Sequence, residues 1–522
     1  MKNLMPSLTK SVAEGNKSSD SYYKQLYDYI KREILVGNIL AGEKLPSLRS
    51  LASSLEISLT TVEQAYNQLL VEGYIYSKPQ SGYYVSDLSF AAKRNSDKIL
   101  EKYNNDTHED KDAFETMAIF DGHSLDELLF ESAEKRIYDL ETFDFNKWKK
   151  CTNKILTDYP SALTFESDPQ GEEALRYEIS KYLYLSRGVM CDMNQVVIGA
   201  GTQQITGHLA RILSRLGINH VAVEEPGYLP VKNIFKERGF VMTPVNVKGD
   251  GIDLSALPMN IRSAVYVCPS NQFPTGAVMP IGNRYALLDW AEKNNSIIIE
   301  DDYDSELRYF GRPVPALQGL DRNECVVYLG SFSSTLFPAV KISYMVLTPS
   351  MVEIFSEMRS DYTQTCSKTE QLTLALFMEK GFYQTGLKKT RKLYGQKMEI
   401  IEKAVEKYGQ GRIVMESASS GLNVVLRVMT APEVTGQKDN TTSIENGELL
   451  ANQGGVAKSA EILCEEAKAL GLSAVPVSTY ADKSRDSHEA LVLYYNQIPL
   501  GEIEQRLKRL FASWLSPSAP KS

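Results

Sequence analysis

Apolar residues recur at every fourth position from Tyr22 through Leu26 and Ile30 to Ile34, which predicts an amphipathic helix starting near Ser21 and ending at Gly37. Ser47 is placed to cap a short helix after Leu45-Pro46. Ser58 is placed to cap the next, Leu59 to Leu70, which stops at Gly73. Tyr74-Ile75-Tyr76 and Tyr83-Tyr84-Val85 then flank Ser77 to Gly82, a hairpin pattern with Pro and Gly in its turn. Helix, short helix, capped helix and hairpin together predict a winged helix-turn-helix over residues 21–88.

Residues 1–20 are rich in Lys, Ser, Asn and Asp and are expected to be disordered, and the polar, charged stretch 89–115 reads as a flexible linker. From 116 to 516 helical and strand patterns alternate, as in an α/β domain. The runs Ser296-Ile297-Ile298-Ile299 and Val326-Val327-Tyr328-Leu329 lack polar alternation and predict buried strands of a mostly parallel sheet. The first ends in Glu300-Asp301-Asp302-Tyr303-Asp304 and the second in Gly330-Ser331-Phe332-Ser333-Ser334. Ligands of open α/β sheets sit at such carboxyl ends. Gln195 to Ala200, Val221 to Glu225 and Val265 to Cys268 read as further strands, and Gly201-Thr202-Gln203-Gln204 opens a helix. Toward the end, helices over about 370–408, apolar runs at Gly421–Leu426 and Leu491–Asn496, and a helix from Leu500 outline a smaller C-terminal α/β subdomain. A polar insertion, Thr430 to roughly Gly455, interrupts it.

Composition narrows the class. Hydrophobic residues make up 43% of the 522, enough for a large core. No run of about 18 apolar residues occurs, and the first residues lack a secretory signal pattern, so a cytoplasmic location is expected. The six scattered cysteines read as free thiols, and the five histidines show no metal-ligand spacing, so no metal is expected. A net charge of −9 argues against wholesale nucleic-acid binding, but residues 1–82 hold nine Lys/Arg against eight Asp/Glu. A DNA-binding head here depends on where a few groups stand.

The motifs Leu45-Pro46-Ser47-x-Arg49, Ser58-x-Thr60-Thr61-Val62 and Glu72-Gly73-Tyr74 resemble the head of the gluconate-repressor (GntR) family. The resemblance implies a double-stranded DNA operator as partner, with the helix from Ser58 in the major groove. Its free amides and the hydroxyls of Ser47, Ser58, Thr60 and Thr61 suit phosphate contact, and Arg49 suits a backbone or base contact. Lys44, Tyr66, Lys78 and Ser81 complete the expected DNA-contacting set. Two departures stand out: Leu59 replaces the family's usual arginine, and Glu63 puts a carboxylate near the phosphates.

Asp301-x-Tyr303 followed by Ser331-x-Ser333 resembles the cofactor core of fold-type I pyridoxal-phosphate aminotransferases, and more narrowly the MocR/GabR-type regulators. In that family a lysine follows the second serine and carries the cofactor as a Schiff base. Here that position is Ser334. The resemblance implies Asp301 at the ring nitrogen, Tyr303 at the phenolic oxygen and Tyr228 stacked on the ring. Asn271, in the family's histidine position within Pro269-Ser270-Asn271-Gln272-Phe273-Pro274-Thr275-Gly276, would also reach the phenolic oxygen. The amides of Thr202 and Gln203, the hydroxyls of Ser331 and Ser333, and Lys341 in the family's arginine position would hold the phosphate. Taken alone, the Gly201 turn and the tyrosine after Pro226-Gly227 read as ordinary turn and packing residues.

These readings combine into a DNA-binding regulator, expected as a homodimer. Its effector domain would bind pyridoxal 5′-phosphate or pyridoxamine phosphate non-covalently, or an amino-acid adduct, without catalysing transamination. Two alternatives stay open: an aminotransferase with a DNA-binding head (or a regulator whose lysine 334 was changed to serine), and a degenerate dimerisation scaffold without cofactor. No arginine for a substrate carboxylate appears at Tyr494–Gln497, and Arg485 is only a weak substitute.

Overall fold

The structure, a computed structural model, describes residues 22–79, 81–87, 142–309, 314–416, 420–429, 458–481 and 490–516. Residues 1–20 and 89–115, the 430–455 insertion and Arg485 lie outside the described residues. The chain divides into two compact units, Met1–Leu129 and Phe130–Ser522.

In the first unit, α1 (Tyr22–Leu35), α2 (Leu48–Leu55) and α3 (Leu59–Val71) close over a core that includes Leu26, Ile30, Leu51, Val62 and Leu69. The caps stand where the sequence puts them. Ser47 Oγ accepts the Ser50 amide (3.2 Å) and Ser58 Oγ accepts the Thr61 amide (3.1 Å), each satisfying one orphan donor of a helix start. β1 (Ile75–Lys78) pairs antiparallel with β2 (Gly82–Val85), Ile75 opposite Val85. One position differs from the apolar pattern. Tyr22 lies in the first turn of α1 and is exposed, and Tyr27 is buried instead, its hydroxyl donating to Glu72 (2.5 Å).

The second unit is built on an eight-stranded sheet: β3 (Val196–Ala200), β4 (His220–Glu225), β5 (Val241–Lys248), β6 (Gly251–Ile252), β7 (Ala264–Val267), β8 (Ile297–Asp301), β9 (Val326–Ser331) and β10 (Ile342–Val346). Their order is β3-β10-β9-β8-β7-β4-β5-β6. β5, β4, β7, β8 and β9 run parallel to one another, while β10 is antiparallel to both β9 and β3, and β6 to β5. The reversal at β10 follows from chain length. The connection 332–341 is shorter than the crossover of about a dozen residues that a parallel neighbour needs.

Both faces of this sheet are covered, which is why β8 and β9 show no polar alternation. Ile297, Ile299, Val327 and Leu329 belong to one core, and Ile298 and Val326 to the core on the other side. The C-terminal part adds an antiparallel sheet, β11 (Ile413–Glu416), β12 (Asn423–Val428), β13 (Ser473–Pro476) and β14 (Ala490–Tyr494), in the order β11-β12-β14-β13. The helices Phe382–Tyr408, Ala460–Ala469 and Ile503–Leu515 contribute to one core against it, and a smaller cluster around Val425 and Val492 packs with Tyr480 and Tyr494. Among the described residues no helix is long and apolar enough to cross a membrane.

Candidate functional site

Strand alternation sorts the carboxylates at the end of β8. Glu300 accepts the amides of Leu317 (2.7 Å) and Gln318 (2.8 Å), and Asp302 takes the buried Arg187 guanidinium as a fork (2.6 and 2.9 Å). Those two residues anchor the strand. Asp301, between them, accepts the hydroxyl of Tyr266 and opens with it onto a cavity of about 490 Å³, a size typical of small-ligand sites. Burial pushes the Asp301 carboxyl up to about 7, the neighbouring Asp302 and Asp304 add to the rise, and the Tyr266 bond opposes it. An acid in this state is suited to share a proton with a heterocyclic nitrogen.

The rest of the cavity is assembled from several loops. The turn after β3 gives Gly201 and Thr202, and the start of the helix at Leu229 gives Tyr228. Tyr303 and Asp304 follow β8, and Ser331, Ser333 and Ser334 follow β9, with Lys341 just before β10. Gly201 (φ 88°) is the cap of the helix Thr202–Arg215 and has no side chain to close it, so the first amides, those of Thr202 and Gln203, remain available to an anion. Ser331 Oγ already accepts the Ser333 amide (3.3 Å) and the Ser343 hydroxyl (2.9 Å), which leaves its own proton to donate. The Lys341 ammonium makes no ion pair among the described residues. Lys341 itself sits in a left-handed turn (φ 49°) immediately before the strand Ile342–Val346.

Two expected residues stand apart. Gln203 and Asn271 do not line this cavity. Gln203 has an exposed side chain, so only its amide is relevant. Asn271 is buried and accepts the Ser420 hydroxyl (2.9 Å), lining a smaller adjoining space with Tyr303. That bond occupies the Oδ1 acceptor and ties the residue to the C-terminal subdomain; the Nδ2 donor, the group a phenolic oxygen would need, takes no part in it. Conversely, Tyr266, Asp304, Tyr480 and Tyr494 line the cavity unforeseen. The Tyr494 hydroxyl pairs with that of Tyr480 (2.9 Å), so tyrosines stand where the sequence offered no arginine for a substrate carboxylate.

Asp304 is the least compensated group at the site. It is 2% exposed, in left-handed backbone (φ 53°), and neither carboxyl oxygen has a hydrogen bond of good geometry. Burial pushes it up to about 6, against a smaller downward pull from the neighbouring Ser334 and Tyr303 hydroxyls. A carboxyl raised in the fold contributes its stability below the unfolded value of 3.8 and loses it as pH rises through about 6. Asp304→Asn keeps the shape and tolerates left-handed backbone. It is therefore expected to stabilise the ligand-free protein by about 1–3 kcal/mol at pH 8 and by almost nothing at pH 4. Urea unfolding at the two pH values measures this; a gain independent of pH would mean the buried charge is not its source.

In the first unit, Lys44, Ser47, Arg49, Ser58, Thr60 and Lys78 are exposed. Ser58 and Thr61 share a hydroxyl contact (2.7 Å) at the start of α3, and Ser81 bonds Tyr84 (2.5 Å) on the hairpin. The ammonium of Lys78 lies 4.5 Å from the Tyr84 ring centre, and that of Lys44 5.9 Å. Tyr66 is the exception among the expected DNA contacts. It is fully buried, with its hydroxyl on the Pro46 carbonyl (3.2 Å), and serves the core beneath the turn. Its position on the inward stripe of α3, between Val62 and Leu69, is the reason.

Residues 22–85 match the family described as bacterial regulatory proteins of the gntR family, and residues 137–462 match aminotransferase class I and II. The uncharacterised HTH-type transcriptional regulator YdeL of Bacillus subtilis is 36% identical over 94% of this chain and 96% of its own length. The probable rhizopine catabolism regulatory protein MocR of Rhizobium meliloti is 31% identical, covering 79% of this chain and 82% of that protein. Among solved structures, the α-aminoadipate aminotransferase LysN of Thermus thermophilus, complexed with N-(5′-phosphopyridoxyl)-L-leucine, has a TM-score of 0.60 at 21% identity, over 72% of this chain and 90% of its own. A gntR-type helix-turn-helix head is joined in this chain to a class I and II aminotransferase domain, and with these relatives the chain belongs to the MocR-type family of HTH transcriptional regulators.

Proposed function

We propose that the protein regulates transcription by binding an operator as a homodimer in the cytoplasm. Its aminotransferase-like domain senses a pyridoxyl 5′-phosphate ligand, alone or joined to an amino acid, and does not transaminate. The observation that carries this is Ser334. It stands where the family resemblance puts the Schiff-base lysine, in one cavity with Asp301, Tyr303, Ser331, Ser333 and Lys341. The uncapped helix start at Thr202, the Ser331 proton and the Lys341 charge suit a phosphate, and Asp301 and Tyr303 suit a pyridinium and a phenolate. When bound, such a ring supplies an electron sink.

What is missing is the group that would use it. Transamination needs an amine to bond the cofactor and then a base to move a proton between carbons, and a serine hydroxyl does neither at neutral pH. A sensing role asks only that the ligand prefer one state of the protein, because that difference in affinity is all that shifts DNA binding. Calorimetry with pyridoxal phosphate, pyridoxamine phosphate and their mixtures with amino acids, alongside operator titrations, tests the proposal. At least one ligand is expected to bind and to change operator affinity by about 5- to 150-fold, the usual span of allosteric coupling. Binding by none, with operator affinity unchanged, would leave a dimerisation scaffold; turnover of an amino acid would restore the enzyme reading.

A further inference from the structure

Asp304 has no role in holding a pyridoxyl phosphate by its ring, its phenolic oxygen or its phosphate. Yet it is buried in the same cavity, beside Tyr303 and Ser334. Those two neighbours locate it. Tyr303 is the residue assigned to the phenolic oxygen, which is the ring substituent next to C4′, and Ser334 marks where a lysine would meet C4′ itself. A carboxylate beside both would face whatever C4′ carries in a ring so held. No lysine or arginine forms an ion pair with it among the described residues; its oxygens have only the neighbouring Tyr303 and Ser334 hydroxyls, outside good hydrogen-bond geometry. The protein thus holds a buried acid with an unmet demand for a cation.

Resting on the proposed ligand class, we propose that Asp304 is the counter-ion of a positively charged nitrogen on C4′, so that the site selects pyridoxamine 5′-phosphate over the alcohol and aldehyde vitamers. The cavity and that ligand match group by group. Asp301 meets the ring nitrogen and Tyr303 the phenolic oxygen. Lys341, Ser331 and the Thr202 amide meet the phosphate, and Asp304 meets the 4′-ammonium, which Ser334 leaves room to approach. An alcohol or aldehyde at C4′ fills the same space but leaves the carboxylate uncompensated. A serine at 334 and an acid at 304 then act together: the cation is brought by the ligand and not by the chain.

Isothermal titration of the full-length protein at pH 8 compares pyridoxamine phosphate with pyridoxine phosphate, whose hydroxymethyl group is nearly isosteric with the aminomethyl group but uncharged. The amine is expected to bind about 10- to 100-fold more tightly, the range of a hydrogen bond to a charged partner. Asp304→Asn is expected to bring the two ligands to about equal affinity by weakening the amine alone. Equal affinity in the unaltered protein overturns the proposal without needing any variant, and so does a preference that survives Asp304→Asn. In both cases binding itself persists and the vitamer site stands. Failure of both ligands and of pyridoxal phosphate to bind overturns the ligand class along with it.

Discussion

Ser334→Lys is expected to convert a dialysable ligand into a covalently retained one. In the unaltered protein pyridoxal phosphate has only Asp301, Tyr303 and the phosphate donors to hold it, so it should leave on dialysis, and borohydride should fix none of it to the chain. The variant places a primary amine in a cavity of about 490 Å³ that already holds those groups. It should bind up to about one equivalent per chain, with a visible absorption band and a borohydride-stable mass increase. Asp304 would then lie beside the new ammonium, so the same variant is expected to lose any preference for the amine vitamer. Covalent attachment in the unaltered protein would refute this account and direct attention to Lys341, the lysine that lines the cavity. A variant that binds the vitamer but never bonds it would show that residue 334 does not face C4′.

The strand ends at the sheet's carboxyl edge were legible from backbone pattern, while the roles of the residues on them came from the family resemblance. A strand of β-branched residues ending in Asp301 must present its next residues at the sheet's edge, and a glycine before Thr202 must leave helix amides uncapped. What the pattern could not reveal depends on side chains arriving from elsewhere in the chain. Asn271 lies in a smaller space adjoining the cavity, and its Oδ1 is held by Ser420, far along the sequence. Tyr480 and Tyr494 reach the cavity from the C-terminal subdomain, where nothing local marks them. Asp304 was in plain view within the acidic burst. Only its left-handed backbone and its neighbours Tyr303 and Ser334 separate it from Glu300 and Asp302, whose charges are met on the far side of the strand.

Tyr66 carries the same lesson in the head. A tyrosine on the helix assigned to the groove invites a phosphate contact, yet the stripe it shares with Val62 and Leu69 faces inward. A helix of 13 residues cannot present every polar-tipped side chain to DNA while also burying one face against α1 and α2. The groups left outside are Arg49 before it, Ser58 and Thr60 at its start, and the lysines flanking the hairpin tyrosine.

Removal of residues 1–88 is therefore expected to abolish specific operator binding while leaving vitamer binding intact. Specific sites are typically about 10³- to 10⁷-fold tighter than non-specific DNA, and all of that margin should vanish with the head. Within the head, Arg49→Ala should weaken binding by about 1–3 kcal/mol and relax preference at one base pair if the guanidinium reads a base edge. If Arg49 meets only phosphate, the loss should be uniform across sequences, and the slope of log affinity against log salt should fall by about one. Tyr66→Phe separates surface from core: it removes only the hydroxyl on Pro46, so it should cost stability of about 1 kcal/mol without altering salt dependence. Titration of labelled operator fragments at several salt concentrations distinguishes these outcomes. The operator should contain two half-sites, because a dimer presents two α3 helices. Full operator affinity in the protein lacking residues 1–88 would place DNA recognition elsewhere in the chain and remove the head from the account.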